Sequence, residues 1–279
     1  MLGVRGRVLI VAGSDSGGGA GIQADIKTVT ALGGYAATAI SALTAQNTRG
    51  VFAIEDVPAD FVALQMRLVL SDIGADCIKI GMLHRPDVVN AVCDVLETEA
   101  RRIPVVVDPV MMAKGGDPLL SPEAMASVKE RLIPLAAVAT PNLPEAGELG
   151  GVGGDDPALL AAAVLALGPD AVLVKGGHGQ GSTLIDLLVR RDQTQVRFES
   201  ERIDTPHTHG TGCTLASAIA TGLAQGLDLP EAVGRARAYV LEAIRSAPGY
   251  GQGHGPLNHG HTVAPFSGDG GDNNSGSRQ

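Results

Sequence analysis

The sequence contains no tryptophan, and tyrosine and phenylalanine together make up only 3% of it. A core without large rings has to be filled by small aliphatic side chains; alanine and valine are common and glycine reaches 38 residues. Such a core suits helices lying close on a parallel sheet. Cysteine is scarce: Cys77, Cys93 and Cys213 are an odd number with no short spacing, which excludes a disulfide framework and a zinc motif. Basic clusters are missing from a chain of formal net charge −9, so the electrostatic footprint of a nucleic-acid binder is absent. Long apolar runs are missing too. The run at 8–12 breaks at Gly13, too short for a signal peptide or a membrane span, and the chain is expected in the cytoplasm with no membrane partner. An acidic protein of this kind can handle anions only by building a local site from backbone amides, a few cations and bound metal.

What is present is an alternation of short β-branched runs and amphipathic helical stretches. Strands are predicted at 8–12, 35–43, 77–80, 104–108, 136–139 and 171–174, and helices at 19–32, after Pro58, from Pro86, from Pro122, from Pro157, and from about Gly210 and Pro230. After Pro58 an apolar stripe runs through Phe61, Leu64, Leu68 and Ile73. Residues 181–204 are strand-like with a polar break near Asp192, as antiparallel additions would be. The pattern predicts a parallel sheet covered on both faces, with ligands bound beyond the carboxyl ends of the strands. One domain over 1–266 is expected, followed by a Gly/Asp/Asn/Ser tail at 267–279 that cannot bury a core and is expected to be disordered.

The loops at those carboxyl ends carry the distinctive residues. Gly13-Ser14-Asp15-Ser16-Gly17-Gly18-Gly19-Ala20-Gly21 joins the first strand to a helix and lets amides approach a ligand, although an isolated glycine run is as often a flexible turn. Asp25, one turn later, faces either solvent or a polar ligand. Thr44 to Gly50 reads as a polar loop, in which Gln46 could pair with an amine-bearing heterocycle. Asp108 ends the most β-branched strand, where a carboxylate can hold Mg²⁺. Asn142 and Glu145 follow the next strand, and Asn142 could equally cap a helix. Lys175 precedes Gly176 and Gly177 and could reach a phosphate.

The sharpest signal is His209-Gly210-Thr211-Gly212-Cys213-Thr214, which opens an apolar-faced helix whose first amides and dipole favour an anion. Cys213, in the first turn, is expected to have a lowered thiol pKa and to accept a proton, or else only to shape the site. His254, His259 and His261 recur among glycines, but no second cluster of ligands supports a metal site there.

As an ordered set these stretches, with Gly18 to Asp25, Lys79-Ile80-Gly81-Met82-Leu83, Val107 to Met111 and Thr140 to Ala146, resemble the hydroxymethylpyrimidine/phosphomethylpyrimidine kinases of the ribokinase-like superfamily from Val8 to about His261. The resemblance implies a three-layer α/β/α sandwich, use of ATP and Mg²⁺, and a homodimer. It also implies two successive phosphoryl transfers, to 4-amino-5-hydroxymethyl-2-methylpyrimidine and then to its monophosphate, in thiamine biosynthesis. By the same resemblance Asp25 and Gln46 would hold the pyrimidine, with Gly13, Met82 and Val110 lining its pocket. Asn142, Lys175 and Thr211 would bind ATP, Asp108 and Glu145 would serve the metal, and Gly210, Gly212 and Cys213 would carry out the transfer. Ser16-Gly17 and His207 depart from the commoner residues of that family without removing a proposed contact. Two alternatives share the fold: a pyridoxal or pyridoxine kinase, and a catalytically idle pyrimidine sensor. A sugar kinase of the fold would have Asp at the position of Cys213.

Overall fold

The structure is a computed structural model that describes residues 5–112, 116, 119–178 and 182–264; the expected tail at 267–279 lies outside them. A nine-stranded sheet runs through the described residues in the order β3-β2-β1-β4-β5-β6-β7-β8-β9. Its strands are β1 (Arg7–Asp15), β2 (Tyr35–Asn47), β3 (Gly50–Asp56), β4 (Cys77–Ile80), β5 (Val105–Val107), β6 (Val138–Ala139), β7 (Ala171–Val174), β8 (Thr183–Arg190) and β9 (Gln195–Glu201). The strands from β2 to β7 pair in parallel, while β3 at one edge and β8 and β9 at the other are antiparallel. The helices are α1 (Gly21–Ala31), α2 (Ala59–Asp72), α3 (Pro86–Glu99), α4 (Pro122–Ser127), α5 (Leu143–Gly150), α6 (Pro157–Leu165), α7 (Thr211–Ala224) and α8 (Leu229–Arg245).

The central strands are apolar at every position because both faces are covered. Val8, Ile10 and Ala12 of β1 point into one core with residues of α1, α7 and α8, while Leu9 and Val11 point into the other with residues of α2, α3, α5 and α6. The result is the ribokinase-like three-layer sandwich.

One expectation needs correction, and one apolar stripe finds its place. The segment 44–47 is not a loop: β2 continues to Asn47 and returns as β3, with a bulge between Ala45 and Gln46. An edge hairpin alternates exposed and half-buried residues, so its polar side chains read as loop although its backbone is paired. The apolar stripe of α2 faces outward, with Phe61 54% and Leu68 61% exposed, and the helix instead buries the neighbouring Val62, Ala63 and Met66.

After α8 the chain returns across the start of α7. His209 N donates to Gly255 O at 3.2 Å, and His254 N donates to Thr48 O at 2.8 Å. The three C-terminal histidines separate: His254 meets Pro206 O, His261 stacks on Tyr239, and the buried His259 sits 3.0 Å from Thr214 Oγ1. Among the described residues no group of three His, Cys, Asp or Glu could hold a metal. Burial lowers the His259 pKa from 6.5 to about 4. Between these values the unfolded chain takes up a proton that the folded chain refuses, so stability present above pH 6.5 is lost as the pH falls toward 4. The loss amounts to about 3 kcal/mol. His259→Gln is therefore expected to flatten the fall in urea midpoint between pH 7 and about 4.5.

Candidate active site

Twelve of the residues singled out above converge on one cleft of about 1490 Å³ at the carboxyl ends of the parallel strands, and Asp25 does not. Each is delivered by the end of a strand or the start of the helix that follows it, as an open α/β sheet requires.

Gly13, Gln46, Met82 and Val110 all line this cleft, with Val110 packed against the cluster of Ala42, Met82 and Leu119. A Cβ on Gly13 would lie 2.6 Å from Met82 Cε, so a larger residue there would push the flexible end of Met82 aside. The Met82 backbone is anchored by Ser41, whose buried hydroxyl donates to Met82 O at 2.6 Å. The Gln46 backbone is fixed to Ser16: the Ser16 hydroxyl donates to Gln46 O and accepts from Gln46 N, at 2.9 and 3.0 Å.

Asp25 is corrected. It is fully buried, its Oδ2 accepting from Lys79 Nζ at 2.8 Å and its Oδ1 from the Ser217 hydroxyl at 2.7 Å, so no lone-pair edge is turned toward the cleft. Lys79, 54 residues away in sequence, is the member of the pair that lines it.

Asp15, which sequence reasoning left without a role of its own, lines the cleft and organises its loop. Its buried carboxylate accepts from the amides of Gly17, Gly19 and Ala20 at 2.7, 3.0 and 2.8 Å, and His209 Nε2 lies 2.9 Å from Oδ2. Burial works against this charge, yet His209, the Gln46 side chain and the Ala20 amide hold its pKa down at about 2. One carboxylate thus folds the glycine loop and ties it to both the recognition hairpin and the segment before α7. The signal lay within the quoted glycine run, but nothing local marks a partner 194 residues away.

Gly210 caps α7 in the left-handed region at φ +84°. A Cβ on Gly210 would fall 1.8 Å from Gly19 O, so the two glycine segments touch backbone to backbone. Thr211 turns its hydroxyl away to Thr208 O at 2.8 Å. Thr214 N takes Gly210 O at 2.9 Å, and among the described residues the Gly212 and Cys213 amides find no acceptor. Those two donors and the helix dipole make an anion cradle.

Opposite the cradle stands a charge cluster. Lys175 Nζ donates to Asp108 Oδ1 at 3.0 Å and lies 3.7 Å from Glu145 Oε2. Burial alone would lower the Lys175 pKa, but Asp108 and Glu145 outweigh it and the ammonium stays charged. Burial raises Glu145, with the charge of Asp108 adding to the effect and Lys175 opposing it. Asn142 does cap α5: its Oδ1 accepts from Glu145 N at 2.9 Å while Glu145 Oε2 accepts from Asn142 N at 2.7 Å. Capping and cluster coexist, since the same box aims Glu145 at Lys175. The Lys175-Gly176 turn is set from behind, where Asp186 accepts from Gly176 N at 2.7 Å and pairs with Arg237 at 2.7 Å.

Two carboxylates with no third ligand among the described residues do not make a cage for a metal. Hard oxygen donors in this number do fit Mg²⁺, which commonly takes one or two carboxylates plus substrate phosphates and water. Asp108 and Glu145 are the residues that would hold it.

Cys213 departs from expectation. Burial pushes its thiol up to about 12, with Lys79 opposing and Asp25 and Asp108 adding to the rise. Cys213 is half-buried at the cleft wall, and the burial of its sulfur runs against the lowering that its helix position suggests.

A covered parallel sheet, a glycine cradle at a helix start and a lysine-carboxylate cluster facing it define a ribokinase-like phosphotransferase. Within that class the chain belongs to the phosphomethylpyrimidine kinase family, whose profile matches residues 15–258. It is 51% identical over 259 residues to the hydroxymethylpyrimidine/phosphomethylpyrimidine kinase of Rhizobium meliloti, covering 91% of this chain and 96% of that one. Among solved structures it resembles phosphomethylpyrimidine kinase from Clostridium difficile 630, with 42% identity, TM-score 0.75 and coverage of 85% and 99% of the two chains. It also resembles an ADP complex of Bacillus subtilis pyridoxal kinase, with 36% identity, TM-score 0.85 and coverage of 92% and 98%.

Proposed function

We propose that the protein transfers the γ-phosphoryl group of ATP to the hydroxymethyl group of the aminopyrimidine and then to the resulting monophosphate, at one site, in thiamine biosynthesis. The observation that carries this reading is a convergence: a Cβ on Gly212 would stand 3.3 Å from both Asp108 Oδ2 and Lys175 Nζ. Anion cradle and cation therefore meet at one point, in the cleft that Gln46 and Met82 also line. Phosphoryl transfer needs little more than this, since charge spread over the equatorial oxygens is stabilised by fixed donors and cations.

In the proposed reaction Gln46 reads the amino-pyrimidine edge, and Gly13, Met82 and Val110 seat the ring. Gly210, Gly212 and Cys213 supply the cradle. Lys175, with Asn142 and Thr211 nearby, holds nucleotide phosphates; Mg²⁺, when bound at Asp108 and Glu145, supplies charge neutralisation. With its proton held at neutral pH, Cys213 closes the corner beneath the acceptor oxygen and is not a standing base. A loose transition state tolerates this, because the alcohol needs to give up its proton only late.

A pyridoxal kinase reading is favoured by one observation, the likeness to the Bacillus subtilis enzyme. ADP release with each alcohol in parallel separates the two: the pyrimidine is expected to turn over faster, and turnover of pyridoxal alone would overturn the acceptor assignment. Gln46→Ala is expected to raise the pyrimidine KM about 10-fold, the worth of a lost hydrogen bond to a buried polar edge, with ADP affinity by calorimetry unchanged.

We further place this activity in one domain over 1–266, in the cytoplasm and in a homodimer. Support for the last comes from exposed Phe52, Phe61 and Leu68 on the β3 and α2 side. Among the described residues no helix is long and apolar enough to cross a membrane.

A further inference from the structure

Lys79, Asp25 and Ser217 form a charged network with no exposure to solvent. It joins three elements, since Lys79 lies on β4, Asp25 on α1 and Ser217 on α7. A core gains little from such a pair, because desolvation offsets the attraction and apolar residues of similar volume are often as stable or more so. Burial alone would lower the Lys79 pKa, and Asp25 outweighs it.

The position of the network is more informative than its energy. Ser217 stands one helical turn beyond Cys213 on the same face of α7. Asp25 stands one turn beyond Gly21 on α1, and the Gly21 amide donates toward the Cys213 thiol. Two helix starts therefore meet at Cys213, and Asp25 clamps them through Ser217. Lys79 lies at the cleft beside Ala12 and Cys213, with its side chain closed off beneath the lining. Gly81 leaves the space the ammonium fills, since a Cβ there would lie 2.9 Å from Lys79 Nζ and 3.0 Å from Ala12 Cβ.

We propose that Lys79, held by Asp25 and Ser217, is a positioning residue of the transfer step, fixing the first turn of α7 and its cradle against the cleft floor with a buried positive charge beneath the acceptor. This rests on the kinase reading above. The network is present for geometry and charge at the reacting end of the cleft, and not for stability.

The test is Lys79→Met/Asp25→Val, which removes the charges and nearly keeps the volume. The expected result is a folded protein with its unfolding midpoint within about 4 °C of the parent. Its kcat is expected to fall about 10- to 100-fold, as a cradle displaced by a fraction of an ångström would lose, while the KM for ATP is unchanged. Unchanged kcat, or a midpoint and kcat that collapse together in a destabilised protein, would overturn the proposal. Gly81→Ala displaces the ammonium without removing it and decides the matter if the double variant does not fold: a similar fall in kcat supports the role, and parental kcat refutes it. A parent protein that phosphorylates neither alcohol would strike the kinase reading first, and this proposal with it.

Discussion

Gly210→Ala is expected to abolish measurable phosphoryl transfer while leaving the far-UV circular dichroism of the protein intact. Two penalties coincide at this residue. Its φ of +84° is a left-handed conformation that costs a side-chain-bearing residue about 1–2 kcal/mol. Its Cβ would also fall 1.8 Å from Gly19 O, and that acceptor is backbone, with no rotamer to turn away. The segment before α7 would have to separate from the glycine loop that Asp15 and His209 hold together, carrying the Gly212 and Cys213 amides out of line. Loss of preorganised donors of this kind costs about 10²–10³ in kcat, and two leave together. Gly226→Ala is the matched control: its φ of +87° is similar, but no atom lies within 4 Å of the added Cβ. It should lose about 1–2 kcal/mol of stability and keep full activity. Steady-state ADP release and urea midpoints on the two variants separate strain from collision.

Lys175→Met is expected to lower kcat/KM for ATP by about 10³-fold. The ammonium sits 3.0 Å from Asp108 and 3.7 Å from Glu145, so it holds two carboxylates in one corner. Without it the two carboxylates repel, and Glu145, already raised by burial, is pushed further the same way. The variant loses a phosphate cation and the ammonium that holds the carboxylates in place. Calorimetric titration with ADP should show the affinity loss, whereas pyrimidine binding, carried by Gln46 elsewhere in the cleft, should persist.

The parts of this site that were legible in the sequence are the ones built locally. Asn142 and Glu145 form a capping box from residues three apart, with Pro144 in the first turn between them, and the cap weighed for Asn142 is present. The Gly210-Thr211-Gly212 start of α7 was visible because a helix announces its own beginning, and the strand-end rule brings five loops and the β2–β3 hairpin to one cleft. What was hidden depends on distant contacts. Asp25 was expected at the pyrimidine from the resemblance and from its place one turn after the glycine loop, whereas its partner is Lys79 on a distant strand. The lowered thiol expected at Cys213 followed from its helix position, and the burial that reverses it is a property of the assembled corner. The hairpin of β2 and β3 was hidden for a different reason: an edge ribbon with one wet face has the composition of a loop. On α2, periodicity found a stripe but could not say which stripe is inside.

The claim that one cleft performs both transfers is tested most directly by following the products by mass. Purified protein with ATP, Mg²⁺ and the hydroxymethyl aminopyrimidine should yield the monophosphate first and the diphosphate later, with Gly210→Ala removing both activities in the same proportion. A protein that stops at the monophosphate, or a Gly210→Ala variant that loses one transfer and keeps the other, would contradict a single shared cradle.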